Sequence, residues 1–207
     1  MKKIVFDFKF ILSAYLLFFL IMLFTVFIIP KGGEVLWLNQ FKNPYLSFFF
    51  RQITHLGEWF LIALLAGYLL WKNKKKFNYL ALGFFIQLIL SQALKKLFNM
   101  PRPLSFFGER QLQIIENTPR LYHYSFPSGH TTTAFFLAFF MILFFRFNKK
   151  YSIVVFLLAV LVGISRIYLL AHFKEDVLFG SFLGLISAMV AYFYYNKSIR
   201  LESPTDE

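Results

Sequence analysis

Uninterrupted stretches of apolar residues constrain the fold of this chain more than any other feature of its sequence. Phe10 to Ile29 is a run of twenty residues without a charge, enough to cross the roughly 30 Å hydrocarbon core of a bilayer as a helix. Comparable runs recur along the chain and lack the periodicity of an amphipathic helix, which is typical of transmembrane segments. Hydrophobic residues make up 58% of the 207 residues and charged residues 15%, a composition that disfavours a soluble globular domain.

These runs predict an all-α fold, a transmembrane helical bundle. Between the first two spans, the segment Phe41 to Leu56 mixes phenylalanines with cationic and amide side chains, which predicts an interfacial helix lying along the membrane. The first run ends at Pro30-Lys31-Gly32-Gly33 without a small-residue cleavage site, so we expect it to be retained as a span. The six predicted spans lie at about 10–29, 56–71, 78–98, 130–146, 151–171 and 175–195.

The distribution of lysine and arginine predicts how the bundle is oriented. With the N-terminus in the cytoplasm, twelve of the 22 cations lie on the inner side in compact clusters. The other ten lie outside, and three of these belong to the motifs described below. We therefore expect both termini in the cytoplasm of an inner or plasma membrane. Residues 1–197 are predicted to be one membrane-embedded domain and 198–207 a short cytoplasmic tail, disordered from Ser203 to Glu207.

The formal net charge of +12 does not indicate a nucleic-acid partner. The cations form short clusters between apolar runs, as membrane anchors do, and no basic face with interleaved aromatic residues stands clear of the predicted spans. The chain has no cysteine, so disulfides and thiolate metal sites are excluded. Nothing in the sequence predicts an oligomeric state.

Three fragments on the predicted outer side carry side chains that suit phosphate chemistry. Lys and Arg both bind phosphate oxygens, and an arginine within a membrane span is a functional candidate by default. Taken alone, however, the lysine of the first fragment fits an interfacial anchor better, as does its neighbour Lys96. The fragments are Lys95-x6-Arg102-Pro103, Pro127-Ser128-Gly129-His130 and Ser165-Arg166-x5-His172-x3-Asp176.

The second fragment predicts an anion site at a helix N-terminus. Ser128 suits an N-cap, and Gly129 permits close approach of the backbone to a ligand. The amides of Gly129 and His130 would then face an anion. A plain helix start explains Ser128 equally well, but it does not explain a histidine at the mouth of a span.

The third fragment places a histidine and a carboxylate four residues apart, so that their side chains can meet on one helical face. Asp176 would hold one imidazole nitrogen of His172 and leave the other as a nucleophile. The pair alone fits an interfacial cap better, and Ser165 fits a local helix-end bond. His55 and His123 match no motif position and are expected to be surface or interface residues.

The three fragments match the signatures K-x6-RP, PSGH and SR-x5-H-x3-D, and the chain resembles bacterial integral-membrane members of the type 2 phosphatidic acid phosphatase family. Its wider superfamily includes vanadium haloperoxidases and glucose-6-phosphatase. The resemblance implies a metal-independent phosphatase without a cofactor that works through a phosphohistidine. It implies that His172 attacks phosphorus, that Asp176 orients it, and that His130 protonates the leaving oxygen and then activates water. The nonbridging oxygens would be held by Lys95, Arg102, Ser128, Gly129 and Arg166.

The resemblance also implies a lipid phosphate as the substrate. Undecaprenyl diphosphate is slightly favoured over phosphatidylglycerophosphate, phosphatidic acid and lipid A phosphate, because small bacterial relatives often recycle that carrier. The alternative is a non-enzymatic lipid transporter or scramblase that retains a phosphate-binding site. Simple binding needs cations but not the two histidines and the carboxylate, which argues against that alternative. A vanadate-dependent peroxidase would share the site but not the six spans.

Overall fold

The computed structural model describes residues 2–114 and 119–202, with side chains from Phe8 onward. All regular secondary structure in those two stretches is helical, and they contain no strand. Short 3-10 turns at His55–Gly57 and Glu109–Gln111 follow the third and sixth helices. The helices are α1 (Lys2–Ile28), α2 (Gly33–Gln40), α3 (Pro44–Thr54), α4 (Trp59–Lys72), α5 (Lys74–Phe98), α6 (Pro103–Phe107), α7 (Gly129–Phe144), α8 (Lys149–Tyr168) and α9 (Lys174–Glu202).

Side-chain caps fix where several helices begin. Asn43 accepts a bond from the Leu46 amide at 2.9 Å, and Asn73 accepts one from the Lys76 amide at 3.0 Å. Asn148 caps α8 in the same way through the Tyr151 amide at 3.1 Å. Each cap satisfies a backbone N–H that has no partner within its helix. The polar residue that precedes each apolar run therefore sets the start of its helix.

The described helices form a membrane bundle, but they do not all reach the length of a span. By length and composition, four helical segments could cross a membrane. They are Phe8–Ile28, Lys74–Phe107 (which contains α5 and α6), Lys149–Tyr168 and Lys174–Glu202. A fifth is counted if Pro44–Gly57 and Trp59–Lys72, which meet at a bend of 43°, form one span. The helix Gly129–Phe144 is apolar but has 16 residues.

Several element boundaries differ from the predicted ones for identifiable reasons. The second predicted span begins at Trp59 because Glu58 is extended, with φ −90° and ψ 158°. The fifth ends at Tyr168 because Leu170, at φ 58°, reverses the chain. The sixth continues as helix to Glu202, through the first residues of the predicted tail. Residues 203–207, predicted to be disordered, lie outside the described residues.

Helix α7 is the centre of the bundle and packs most extensively on α9. Twelve of its residues are buried. The two backbones approach closely because Gly180 and Gly184 face α7. A Cβ atom at Gly184 would lie 2.5 Å from the Thr132 carbonyl oxygen, and one at Gly180 would lie 2.8 Å from that of Ser128. Small residues four apart allow this contact between membrane helices.

Polar contacts distinguish two ends of the bundle. At one end, Lys76 donates to the Phe144 carbonyl at 2.7 Å, and Lys75 pairs with Glu202 at 2.5 Å. At the other end, the buried Lys174 pairs with Glu34 at 3.0 Å, which ties α2 to the start of α9. The three sequence fragments lie at this second end.

Candidate active site

Backbone contacts bring the second and third fragments together. The amide of Ser128 donates to the carbonyl oxygen of Asp176 at 3.1 Å, so the start of α7 is bonded to the first turn of α9. The glycine contact between the two helices continues this approach further along. Residues that are about 50 positions apart in the sequence therefore share one site because two helix N-termini are held side by side.

His172 occupies the turn between α8 and α9, with 2% of its surface exposed. Its Nδ1 lies 3.4 Å from Oδ2 of Asp176, and its Nε2 lies 3.5 Å from a terminal nitrogen of Arg102. Burial, followed by the charges of Arg102, Arg166 and Lys95, lowers the pKa of His172 well below its ordinary 6.5. The imidazole is therefore neutral at pH 7, which is the form that has a nucleophilic nitrogen.

Asp176 is the third residue of α9 and is fixed from two sides. Its Oδ2 accepts a bond at 2.9 Å from the amide of Phe173, the residue before the helix, as in a capping box. The same oxygen accepts a bond at 2.5 Å from the hydroxyl of Ser125. Ser125 is fully buried and its oxygen is 3.5 Å from Nδ1 of His172. Ser125 belongs to none of the three sequence fragments.

Lys95 and Arg102 hold the loop that precedes α7. Lys95 donates to the carbonyl oxygens of Tyr124 at 2.9 Å and Pro127 at 2.7 Å. Arg102 donates through Nε to the His123 carbonyl at 2.7 Å, through one terminal nitrogen to Ala171 at 3.0 Å, and through the other to Tyr124 at 3.2 Å. These cations therefore supply donors to loop carbonyls that no regular secondary structure satisfies.

Arg166 differs from these two cations because one of its donors has no partner among the described residues. One terminal nitrogen donates to the Thr54 hydroxyl at 2.7 Å. Its Nε is buried and makes no hydrogen bond in the described part of the chain. A buried, unpaired donor on a cation is costly. An anion bound beside Arg166 would satisfy it.

The second fragment forms a capped helix start with open space beside it. Ser128 is fully buried, and its hydroxyl oxygen accepts bonds from the Thr131 amide at 3.4 Å and the Thr131 hydroxyl at 2.9 Å. A Cβ atom at Gly129 would meet nothing within 4 Å. The backbone amides that begin α7 are therefore accessible to a ligand that carries negative charge.

A cavity of about 530 Å³ opens beside these residues. His130 and Arg166 line it together with Leu169 and Ala171. Its remaining walls come from α3, the turn after α3, and the loop before α7. These walls are Arg51, Thr54, His55, Glu58, Pro119 and Leu121.

The structure gathers the eight predicted site residues at one end of the bundle, around this cavity and the buried His172. Ser165 makes the local bond expected of it, to the Val162 carbonyl at 2.6 Å. His123 contributes its carbonyl oxygen to Arg102 and has an exposed side chain. His55 is half exposed, as expected, but it also lines the cavity and bonds to Glu58 at 2.7 Å.

Comparison with known proteins places the chain in a family. The model of the PAP2 superfamily matches residues 76–200, more than half of the chain. Phosphatidylglycerophosphatase B of Bacillus subtilis (strain 168) is 32% identical over 160 residues, which cover 70% of this chain and 73% of the relative.

Two solved structures share the fold. The crystal structure of Aquifex aeolicus LpxE matches with a TM-score of 0.69 at 29% identity, over 79% of this chain and 95% of LpxE. That of a transmembrane PAP2 type phosphatidylglycerolphosphate phosphatase from Bacillus subtilis matches with a TM-score of 0.64 at 27% identity, over 95% and 98% of the two chains. The resemblance drawn from the three fragments is confirmed, and the chain belongs to the PAP2 superfamily.

Proposed function

We propose that this protein is an integral-membrane lipid phosphatase that works through a phosphohistidine formed on His172. One observation carries the proposal: the neutral His172 is held between Asp176 at Nδ1 and Arg102 at Nε2. That arrangement leaves Nε2 as the attacking atom beside a fixed cation. Membership of the PAP2 superfamily supports the same reaction, because the relatives that this chain matches are phosphatases acting on lipid phosphates.

The first step transfers the phosphoryl group to the enzyme. The lone pair of His172 Nε2 forms a bond to phosphorus, and the bond from phosphorus to the lipid oxygen breaks. His130, in its protonated form, gives its proton to that oxygen. A lipid with a single phosphate therefore leaves as an alcohol, and a diphosphate lipid leaves as the corresponding monophosphate. Asp176 keeps the Nδ1 proton of His172 in place throughout.

The second step releases orthophosphate. His130, now neutral, takes a proton from a water molecule whose oxygen forms a bond to phosphorus. The nitrogen–phosphorus bond breaks, and its electron pair returns to His172. Both histidines thereby regain their starting states.

The cations stabilise the charge that spreads over the nonbridging oxygens during both steps. We assign Arg166 the most direct contact because its buried Nε has no protein partner among the described residues. Lys95 and Arg102 act on the same oxygens while holding the loop carbonyls. Ser128 and Gly129 contribute the amides and the open space at the start of α7.

We further propose six crossings of an inner or plasma membrane, formed by α1, α4, α5, α7, α8 and α9, with α3 as an interfacial helix. Both termini would lie in the cytoplasm and the site would face the periplasm or the exterior. The separation of the polar contacts into two ends supports this arrangement. The excess of lysine and arginine at the end opposite the site supports the orientation.

The substrate is proposed to be a lipid whose phosphate reaches the site at the membrane surface while its tail stays in the bilayer. Undecaprenyl diphosphate is the substrate favoured from the sequence. Phosphatidylglycerophosphate gains support from the names of the relative and of one solved structure. Phosphatidic acid and lipid A phosphate complete the panel to be tested.

Phosphate release by the purified protein in detergent, with EDTA present, tests the proposal. We expect the wild type to release orthophosphate from at least one lipid of the panel. His172→Ala should reduce release to background because the nucleophile is absent. His123→Ala is the matched control, since this histidine is exposed and contributes a carbonyl that the substitution preserves. Normal turnover by His172→Ala would refute the phosphohistidine.

A further inference from the structure

The side of α3 that faces the active site is polar. Arg51, Thr54, His55 and Glu58 all line the cavity beside His130. Their spacing of three, one and three residues places them on one side of α3 and of the turn that follows it. This wall carries one arginine and a His–Glu pair joined at 2.7 Å. The three sequence fragments account for none of these residues.

The polar wall lies on the leaving-group side of the reaction. In the proposed mechanism, His172 attacks phosphorus from the side opposite the breaking bond, and His130 protonates the departing oxygen. His130 lines the cavity, whereas His172 is buried behind it. In this reaction the part of the lipid that is attached to the departing oxygen extends into the cavity that this wall lines.

Arg51 supplies the cavity with a second cation besides Arg166. Thr54 touches Arg166 through a bond of 2.7 Å. Arg51 precedes Thr54 by three residues, which corresponds to a rise of about 4.5 Å along the helix. An anionic group that enters the cavity beside the scissile phosphate would form a charge-assisted bond with Arg51, and a neutral leaving group would not.

We infer that this cavity is a subsite for a second phosphate on the leaving side, with Arg51 as its ligand. The favoured substrates are then lipids with two phosphates, joined directly as a diphosphate or through a short polyol. A volume of about 530 Å³ accommodates such a headgroup together with the scissile phosphate. This inference rests on the proposed function, because it takes the direction of the leaving group from the proposed reaction.

Matched substrate pairs test the inference. Farnesyl diphosphate and farnesyl monophosphate share a tail and differ by one phosphate. Phosphatidylglycerophosphate and phosphatidic acid with the same acyl chains form the second pair. Steady-state kcat/KM would be measured for the full-length wild type, for Arg51→Gln and for Arg110→Gln. Arg110 is an exposed cation that does not line the cavity, so it controls for the general loss of positive charge.

We expect the wild type to prefer the two-phosphate member of at least one pair by about tenfold or more, the size of one charge-assisted hydrogen bond. Arg51→Gln should remove most of that preference while changing kcat/KM for the one-phosphate member less than about twofold. Arg110→Gln should keep the preference. Comparison of the two substrate pairs shows whether the subsite prefers two phosphates that are joined directly or two that are joined through glycerol.

Two results would overturn the subsite. One is a wild type that treats both members of each pair alike. The other is an Arg51→Gln variant that keeps the preference or loses both activities equally. Absence of release from every lipid by the wild type would instead refute the proposed function, so the two failures are distinguishable.

Discussion

One oxygen atom of Asp176 joins the candidate nucleophile to the loop that precedes α7. Oδ2 accepts bonds from the Phe173 amide and the Ser125 hydroxyl and faces Nδ1 of His172. Loss of one donor lets the carboxylate turn, and the imidazole then loses its orientation. Ser125 is therefore a positioning residue, because it acts on the reaction through Asp176.

Replacement of Ser125 by alanine should lower kcat by about tenfold or more and change KM less than about twofold, since a hydrogen bond to a charged group contributes about 1.5–3 kcal/mol. Steady-state kinetics on the best lipid substrate would measure both parameters. Ser198→Ala is the control, because its hydroxyl makes a local bond to the Tyr195 carbonyl at the other end of the bundle. A kcat for Ser125→Ala equal to that of the wild type would contradict the role.

The pairing of His172 with Asp176 could be predicted from residue type and spacing together. Their separation of four residues predicted that the side chains would meet on one helical face, and they do meet, but His172 lies in the turn before α9 and not on the helix. Ser125 and Thr54 were not predictable, because their partners lie 51 and 112 residues away and serine and threonine are common in loops and helix ends. Nor did the sequence indicate that Lys95 would bind loop carbonyls, since that depends on where the loop lies.

At the scale of single elements, the contact between α7 and α9 determines the geometry of the site. It holds Ser128 against Asp176 by a backbone bond of 3.1 Å. The contact depends on Gly180 and Gly184, because side chains there would meet the backbone of α7. A shift of α9 away from α7 would move Asp176 and His172 together with it.

Gly184→Ala should therefore destabilise the protein and reduce its activity, because the new Cβ would lie 2.5 Å from the Thr132 carbonyl oxygen. Overpacking of this kind costs about 1–3 kcal/mol. Gly67→Ala is the matched control, since a Cβ there meets nothing within 4 Å. Thermal unfolding in detergent should show a lower midpoint for Gly184→Ala than for Gly67→Ala. Equal midpoints would refute the close contact.

The apolar runs predicted each bundle helix but not all of the ends. Hydropathy does not register an extended residue such as Glu58 or a left-handed residue such as Leu170, and these two set the observed boundaries. The close approach at Gly180 and Gly184 was also missed, because a G-x3-G spacing does not say which helix it faces.

At the scale of the whole molecule, the two ends of the bundle differ in what their polar residues do. Cations at one end hold helix termini together, as Lys76 does with the Phe144 carbonyl. At the other end, they surround the candidate nucleophile His172 and the loop before α7. Apolar side chains remain exposed on the outer helices between these ends, for example Phe27 at 80% and Leu64 at 66%, as lipid contact requires.

Cysteine labelling tests which end faces the exterior. The natural chain has no cysteine, so single-cysteine variants have no background. Gln113→Cys should react with an impermeant thiol reagent added to intact cells, and Asn73→Cys should react after lysis. Both positions are exposed and lie on opposite sides in the proposed orientation. The reverse labelling would invert the orientation and leave the active-site assignment intact.

The Nε of Arg166, which has no hydrogen-bond partner among the described residues, bears on the last step of the proposed reaction. In that reaction, the group that satisfies this donor in the substrate is the one that departs as orthophosphate. The three cations that would stabilise the transition state would therefore also slow the release of the product. Free phosphate should compete with the lipid for the same place, so turnover would respond to the phosphate concentration on the side where the site opens. The protein would therefore be subject to product inhibition by the orthophosphate that it releases.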